Sequence, residues 1–224
     1  MAAEQFNPAE AGDGMEVPVV FTGLQRFERH TVIRQTSFYI SGTIEQASYY
    51  NELFYALRSA SETDLIYLHL NTTGGDFDTG LQIINNMQAS AARVVTVLEA
   101  RAYSMGAFIL LAGDEMVVHE NCQLLFHSYS GNFSGKGNEQ QAQALAVANW
   151  FAKFMERICQ PFLHAREVSA ILKGTDLWMD SDEIRRRMQK LQRACGPAVV
   201  AGRRHAPAAP SIPAAALVAA DSAS

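Results

Sequence analysis

Val94-Val95-Thr96-Val97-Leu98 is followed, after Glu99-Ala100, by Arg101-Ala102-Tyr103-Ser104-Met105-Gly106-Ala107. The first run, apolar and β-branched, reads as a buried strand. The second reads as a short turn, then a serine, then small residues opening an apolar helix that stops at Gly113. A serine between a strand and a helix sits on a sharp turn that presents its hydroxyl at the edge of a sheet. The free N–H groups and positive end of the helix there favour a negative oxygen developing beside it. The same position also suits a plain N-cap, the usual task of serine at a helix start. Residues 101–107 alone leave both readings open.

Outward from this stretch, strand and helix signals alternate. Residues 37–44 read as a strand ending at a glycine turn, and Tyr50, Leu53, Phe54 and Leu57 then recur at helical spacing. Leu65 to Leu70 is a second strand, running into the turn Asn71-Thr72-Thr73-Gly74-Gly75. Phe77, Leu81 and Ile84 lie on one face of the helix after it. Met116-Val117-Val118 and Leu124-Leu125-Phe126 are short strands. A long helix carries Val147, Phe151, Phe154 and Ile158 as one stripe, with Trp150 off it, and Pro161 ends or kinks it. Residues 181–193 form a charged helix. This alternation predicts an α/β domain with a mainly parallel sheet.

Three further positions carry possible chemistry. The glycines of the 71–75 turn let backbone amides approach a substrate, or simply make a tight turn. His127 ends an apolar strand and enters a polar loop, where open α/β sheets line their ligand crevice. It is the best placed of the six histidines as a base, although a lone histidine is more often structural. Asp176 precedes the apolar Leu177-Trp178-Met179, so a partly buried carboxylate there needs a partner such as an imidazole N–H. A turn aspartate fits equally well, and Asp180 or Ser181 is placed to cap the helix that follows.

The whole-chain numbers narrow the class. With 224 residues, 48% hydrophobic and 18% charged, the chain holds one domain of ordinary globular composition. A net charge of −5 argues against a nucleic-acid partner. No apolar run approaches the roughly 20 residues that span a bilayer. The first residues show no positive n-region and no apolar h-region, so no signal peptide is read. Cys122, Cys159 and Cys195 fit a reducing, cytoplasmic compartment and match no metal-site spacing. No cofactor is expected. Residues 1–16 read as a flexible arm, 17–194 as the folded domain, and the Ala/Pro-rich 195–224 as a disordered tail.

Taken in order, these segments resemble the proteolytic subunit of the ATP-dependent Clp protease. Thr72-Thr73-Gly74-Gly75 meets the family's Ser/Thr-Pro-Gly-Gly turn, and Tyr103-Ser104-Met105-Gly106-Ala107-Phe108 its Ala-Ser-Met-Gly-Ala-Phe elbow. Leu125-Phe126-His127 meets its Met-Ile-His segment, and its aspartate falls on Asp176. The resemblance runs from about residue 17 to residue 190. It implies a Clp-protease/crotonase-like α/β fold of repeated ββα units with a protruding handle helix, here residues 137–160. It implies a serine endopeptidase, with Ser104 the nucleophile, His127 the base and Asp176 its orienter. The amides of Gly75 and Met105 would form the oxyanion hole. It further implies protein or peptide substrates and a homo-oligomeric barrel of stacked rings, fed by an AAA+ unfoldase.

The departures from the family pattern are specific. Thr73 replaces the usual proline, and Ser128-Tyr129 stands where Gln-Pro is common. Tyr103 stands in place of alanine and is expected to narrow the space beside the nucleophile. Thr175 replaces an arginine that pairs across subunits in many members, and the sequence after Glu183 is foreign to the family. Such divergence suits a phage-encoded or accessory member. Two other readings are a non-catalytic ring or scaffold subunit, favoured by Tyr103 and Thr175, and an acyl-CoA enzyme on the crotonase-like fold. The second typically needs a carboxylate near the loop where Ser104 stands.

Overall fold

A computed structural model describes residues 33–195, and within them lie six strands and six α-helices, which alternate except that β5 follows β4 and α5 follows α4. The strands are β1 (Gln35–Ile44), β2 (Leu65–Gly75), β3 (Arg93–Tyr103), β4 (Glu115–Val118), β5 (Gln123–Phe126) and β6 (Leu177–Asp180). The helices are α1 (Asn51–Ser59), α2 (Phe77–Ala89), α3 (Met105–Leu111), α4 (Gly137–Cys159), α5 (Ala165–Leu172) and α6 (Ser181–Cys195). The expected arm 1–16, the tail beyond Cys195, His30 and His205 lie outside the described residues.

The strands form one mixed sheet in the order β1-β2-β3-β5-β6. All pairs are parallel except β5 with β6. β4 and β5 share one edge of β3 in succession, β4 along Val95–Leu98 and β5 along Arg101–Tyr103. Period-2 alternation turns Ile66, Leu68 and Leu70 of β2, with Val94, Thr96 and Leu98 of β3, to the helix-covered face, where all are buried. Leu53, Phe54 and Leu57 of α1 and Ile83, Ile84 and Met87 of α2 close over them. Full burial of each such side chain contributes about 1.5–3 kcal/mol. The one polar side chain in the middle of this layer, Thr96, donates to the carbonyls of Leu110 at 2.8 Å and Glu115 at 3.1 Å, which joins α3 to β4.

Four sequence expectations are corrected. Asn71–Gly75 is no turn: it prolongs β2, because Ser41–Ile44 of β1 runs beside it and supplies partners, with a register shift at Gly42/Thr43. β3 likewise runs on to Tyr103, so the serine follows the strand directly. α5 and β6 were not expected as elements at all. Trp150 does not face away from the α4 stripe. Its ring stacks on Phe154 at 5.5 Å and meets Phe77 edge-on at 5.7 Å, with 38% left exposed. The apolar surface that α4 leaves open is its first half, where Ala142, Leu145 and Ala146 are exposed, Leu145 to 63%. The expected end of α4 holds: the helix stops at Cys159, two residues before Pro161. Among the described residues, no helix is long and apolar enough to cross a membrane.

Candidate active site

The end of β3 delivers Ser104 to the sheet edge in an unusual conformation. Its φ is 55° and its ψ −121°, and it is the one non-glycine residue with positive φ among those described. Non-glycine residues avoid this region because Cβ crowds the backbone, and such strain persists only where surrounding contacts enforce it. The enforcing contacts are visible. Ser104 N–H donates to the Leu125 carbonyl at 2.9 Å, and Ala107 N–H to the Ser104 carbonyl at 3.0 Å. Ser104 occupies the N-cap position of α3, yet its hydroxyl makes no capping bond. The plain N-cap reading of this serine therefore does not hold.

The opposite wall of the site is the β2 terminus. Gly74 has φ +84°, and a Cβ there would stand 2.8 Å from both the Ser104 Cβ and the Tyr103 carbonyl, and 3.2 Å from the Met105 nitrogen. Only a residue without a side chain lets β2 touch the elbow this closely. Thr72 sets that approach. Buried completely, it donates its hydroxyl to the Gly42 carbonyl at 2.6 Å and accepts from Gly74 N–H at 3.0 Å. Its methyl lies under Gly106, where an added Cβ would stand 2.5 Å away. Thr72 and Gly74 escape a sequence reading because their roles are non-local contacts. The only local signal is the Gly-Gly pair, which points equally to a simple turn.

β5 and β6 carry the other two candidates. Their antiparallel register ends at the pair Phe126 and Leu177, which His127 follows in the chain and Asp176 precedes. Ser104, His127 and Asp176 thus share one edge of the sheet: Ser104 and His127 each follow the last residue of their strand, and Asp176 precedes the first of β6. The side chains are not linked there. The His127 ring bonds the Ser128 carbonyl through Nδ1 at 2.6 Å, and Asp176 is exposed. A carbonyl only accepts, so Nδ1 is the donor in this bond, and Nε2 is the nitrogen left to act as base.

Competing residues are accounted for. Asp180 accepts from Glu183 N–H at 2.8 Å and so starts α6, four residues and about 13 Å of strand away from Asp176. Asp182 lies 3.6 Å from Arg185. Ser181 donates to the Glu120 carbonyl. His69 and His119 both approach Glu99, at 2.6 and 3.6 Å, and His164 begins α5. Burial pushes the Cys159 thiol up to about 12 and raises that of Cys122, so neither offers a thiolate at neutral pH.

Tyr103 corrects a further expectation. Its hydroxyl donates to Gln123 Oε1 at 2.7 Å, opposite Arg101 and so behind the elbow, and its ring meets Trp178 edge-on. The side chain therefore leans back along the sheet and does not narrow the space beside Ser104. Thr175, where an arginine was missed, is exposed. Among the described residues no group of His, Cys, Asp or Glu is arranged to hold a metal ion. Compared with models of known families, residues 27–186, well over half of the chain, match that of the Clp protease.

Proposed function

The chain belongs to the Clp protease family, and on that premise we propose that it is a serine endopeptidase with Ser104 as nucleophile, His127 as general base and Asp176 as orienter. The observation that carries the reading is the strained, uncapped Ser104 at the start of α3. A serine held at positive φ by its bond to Leu125 of β5 and the close approach of β2, with its hydroxyl left free, is set up for attack and has no evident structural task.

In this mechanism Ser104 Oγ attacks the peptide carbonyl while His127 Nε2 takes its proton. The carbonyl oxygen becomes an anion held by the N–H groups of Met105 and Gly75. Support for Gly75 comes from its neighbour Gly74, whose close approach to Ser104 and Met105 brings this end of β2 against the elbow. The C–N bond then breaks, His127 returns the proton to the leaving amine, and an acyl-Ser104 ester remains. Water attacks that ester by the same route and restores the hydroxyl. For the imidazolium to be stabilised, the His127 ring must turn its Nδ1–H from the Ser128 carbonyl to the Asp176 carboxylate. A carboxylate stabilises a cation far better than a neutral carbonyl does.

The substrates of this reading are protein or peptide chains. The exposed first half of α4 would act as a handle through which copies of the chain associate into rings, with an AAA+ unfoldase as feeder. The folded peptidase would span residues 17–194, with the arm 1–16 and tail 195–224 outside it.

One observation favours a non-catalytic ring or scaffold subunit instead: the hydrogen bond that holds His127 to Ser128 and away from Asp176. Substitution separates the two. Ser104→Ala is expected to lower peptide hydrolysis by about 10⁵–10⁶-fold, and Asp176→Asn by about 10³–10⁴-fold, with both variants folded. A folded Ser104→Ala variant hydrolysing at the parent rate removes the serine from the chemistry. Loss of activity in Asp180→Asn but not in Asp176→Asn assigns the orienter to the wrong aspartate.

A further inference from the structure

We infer that Tyr103 and Trp178, with Gln123, form a clamp across the sheet that positions the proposed catalytic edge. The inference deepens the serine-peptidase reading and rests on it. Tyr103 stands on β3 directly before Ser104, and Trp178 stands on β6 two residues after Asp176. Between them runs β5, which leads into His127. The register sets Leu125 of β5 opposite both aromatic residues, so the three lie in one row across the sheet.

Strands β3 and β6 are two spacings apart there, about 10 Å. The rings nevertheless meet edge-to-face with centroids 5.3 Å apart and planes at 74°. Each ring therefore leans over β5, and Leu125 beneath them is left only 8% exposed. The Tyr103 hydroxyl donates to Gln123 Oε1 at 2.7 Å, which fixes the ring to β5 a second time. The Arg101 guanidinium lies 5.9 Å from the ring centroid and adds a cation to its face.

These contacts compensate for short ladders. β3 and β5 pair over Arg101–Tyr103 only, and β5 and β6 over four residues. Ladders this short fray at their ends, and their ends are where Ser104, His127 and Asp176 sit. Trp178 is itself 56% exposed, so burial alone does not explain its place. An edge-to-face pair supplies directional attraction beyond burial. One contact, one residue from Ser104 and two from His127 and Asp176 along their strands, thus ties together the three strands that carry the proposed triad. Tyr103 and Trp178 are positioning residues, since neither is placed to touch the reacting atoms.

The test uses Tyr103→Ala, Trp178→Ala, their combination, and Tyr103→Phe, which keeps the ring. Three quantities are read: peptide kcat and KM, the rate at which a fluorophosphonate labels Ser104, and amide hydrogen exchange in residues 101–108 and 124–130. Each alanine variant is expected to lower kcat and labelling about 10- to 100-fold, with KM changed less than about twofold. Exchange should quicken in both segments. The double variant should be no worse than either single one, because both remove the same contact. Tyr103→Phe should recover most of the labelling rate. Folded alanine variants with the parent's labelling rate and exchange overturn the clamp. Should an alanine variant not fold, Tyr103→Leu and Trp178→Leu carry the same test. Failure of the peptidase reading shows separately, as a parent protein that is not labelled, and exchange in the variants still decides the clamp.

Discussion

At the residue scale the site depends on backbone geometry more than on unusual side chains. Gly74 is the clearest case. Its φ of +84° is strained for any L-residue, and an added Cβ would press on Ser104, Tyr103 and Met105 together. Gly74→Ala is expected to cost about 1–3 kcal/mol in stability. It should also lower kcat by at least about 10²-fold, because it displaces the nucleophile. Urea unfolding and peptide turnover check the two effects separately, and an unchanged kcat in the destabilised variant would show that β2 does not shape the site. Ser104 itself was legible from Tyr103-Ser104-Met105-Gly106, since a serine between a strand and small residues marks an elbow. What the string could not separate was elbow from N-cap. That distinction rests on a dihedral of 55° and a missing capping bond, both enforced by strands distant in sequence. The orientation of Tyr103 was hidden for the same reason, because its partners Gln123 and Trp178 lie 20 and 75 residues away.

At the scale of elements, β1, α1, the first half of β2 and α4 follow from periodicity alone. The extension of β2 through Asn71–Gly75 does not, because it depends on Ser41–Ile44 lying alongside. β6 and α5 are too short for a periodic pattern, at four and eight residues. β6 is held by its ladder to β5, and α5 by charge. Arg187 of α6 grips Glu167 of α5 through two bonds of 2.7 and 2.8 Å and reaches Glu183 at 2.7 Å. Glu167 also closes the start of α5 by accepting from His164 N–H at 2.8 Å. The Arg187 guanidinium holds the Glu167 carboxyl below its ordinary value. A depressed carboxyl contributes stability above its unfolded-state value and loses that contribution as pH falls through the folded one. Arg187→Met should therefore cost about 2 kcal/mol near neutral pH. The gap between variant and parent should shrink as pH drops below the usual glutamate range. Urea midpoints measured at neutral pH and near pH 3 check this, and a gap that stays constant would mean the pair contributes nothing through charge.

At the scale of the whole molecule, the proposed ring rests on apolar residues left exposed on the first half of α4. Leu145 at 63% exposure is the most prominent of them. Soluble monomers rarely keep such a surface bare. Sedimentation velocity across a dilution series should show an assembly that dissociates on dilution, with peptide turnover falling alongside it. Leu145→Asp should shift the distribution to the monomer at every concentration. A parent protein that sediments as a monomer throughout, with full turnover, would contradict the ring.

The central claim is that Ser104 is an activated nucleophile, and covalent labelling tests it most directly. A fluorophosphonate reacts with a serine whose proton a neighbouring base removes and leaves ordinary hydroxyls alone. The assembled protein should incorporate one label per chain, located by peptide mass mapping on Ser104, and His127→Gln should slow that labelling by orders of magnitude. A folded, assembled protein whose Ser104 stays unlabelled, or is labelled equally fast without His127, would contradict the account.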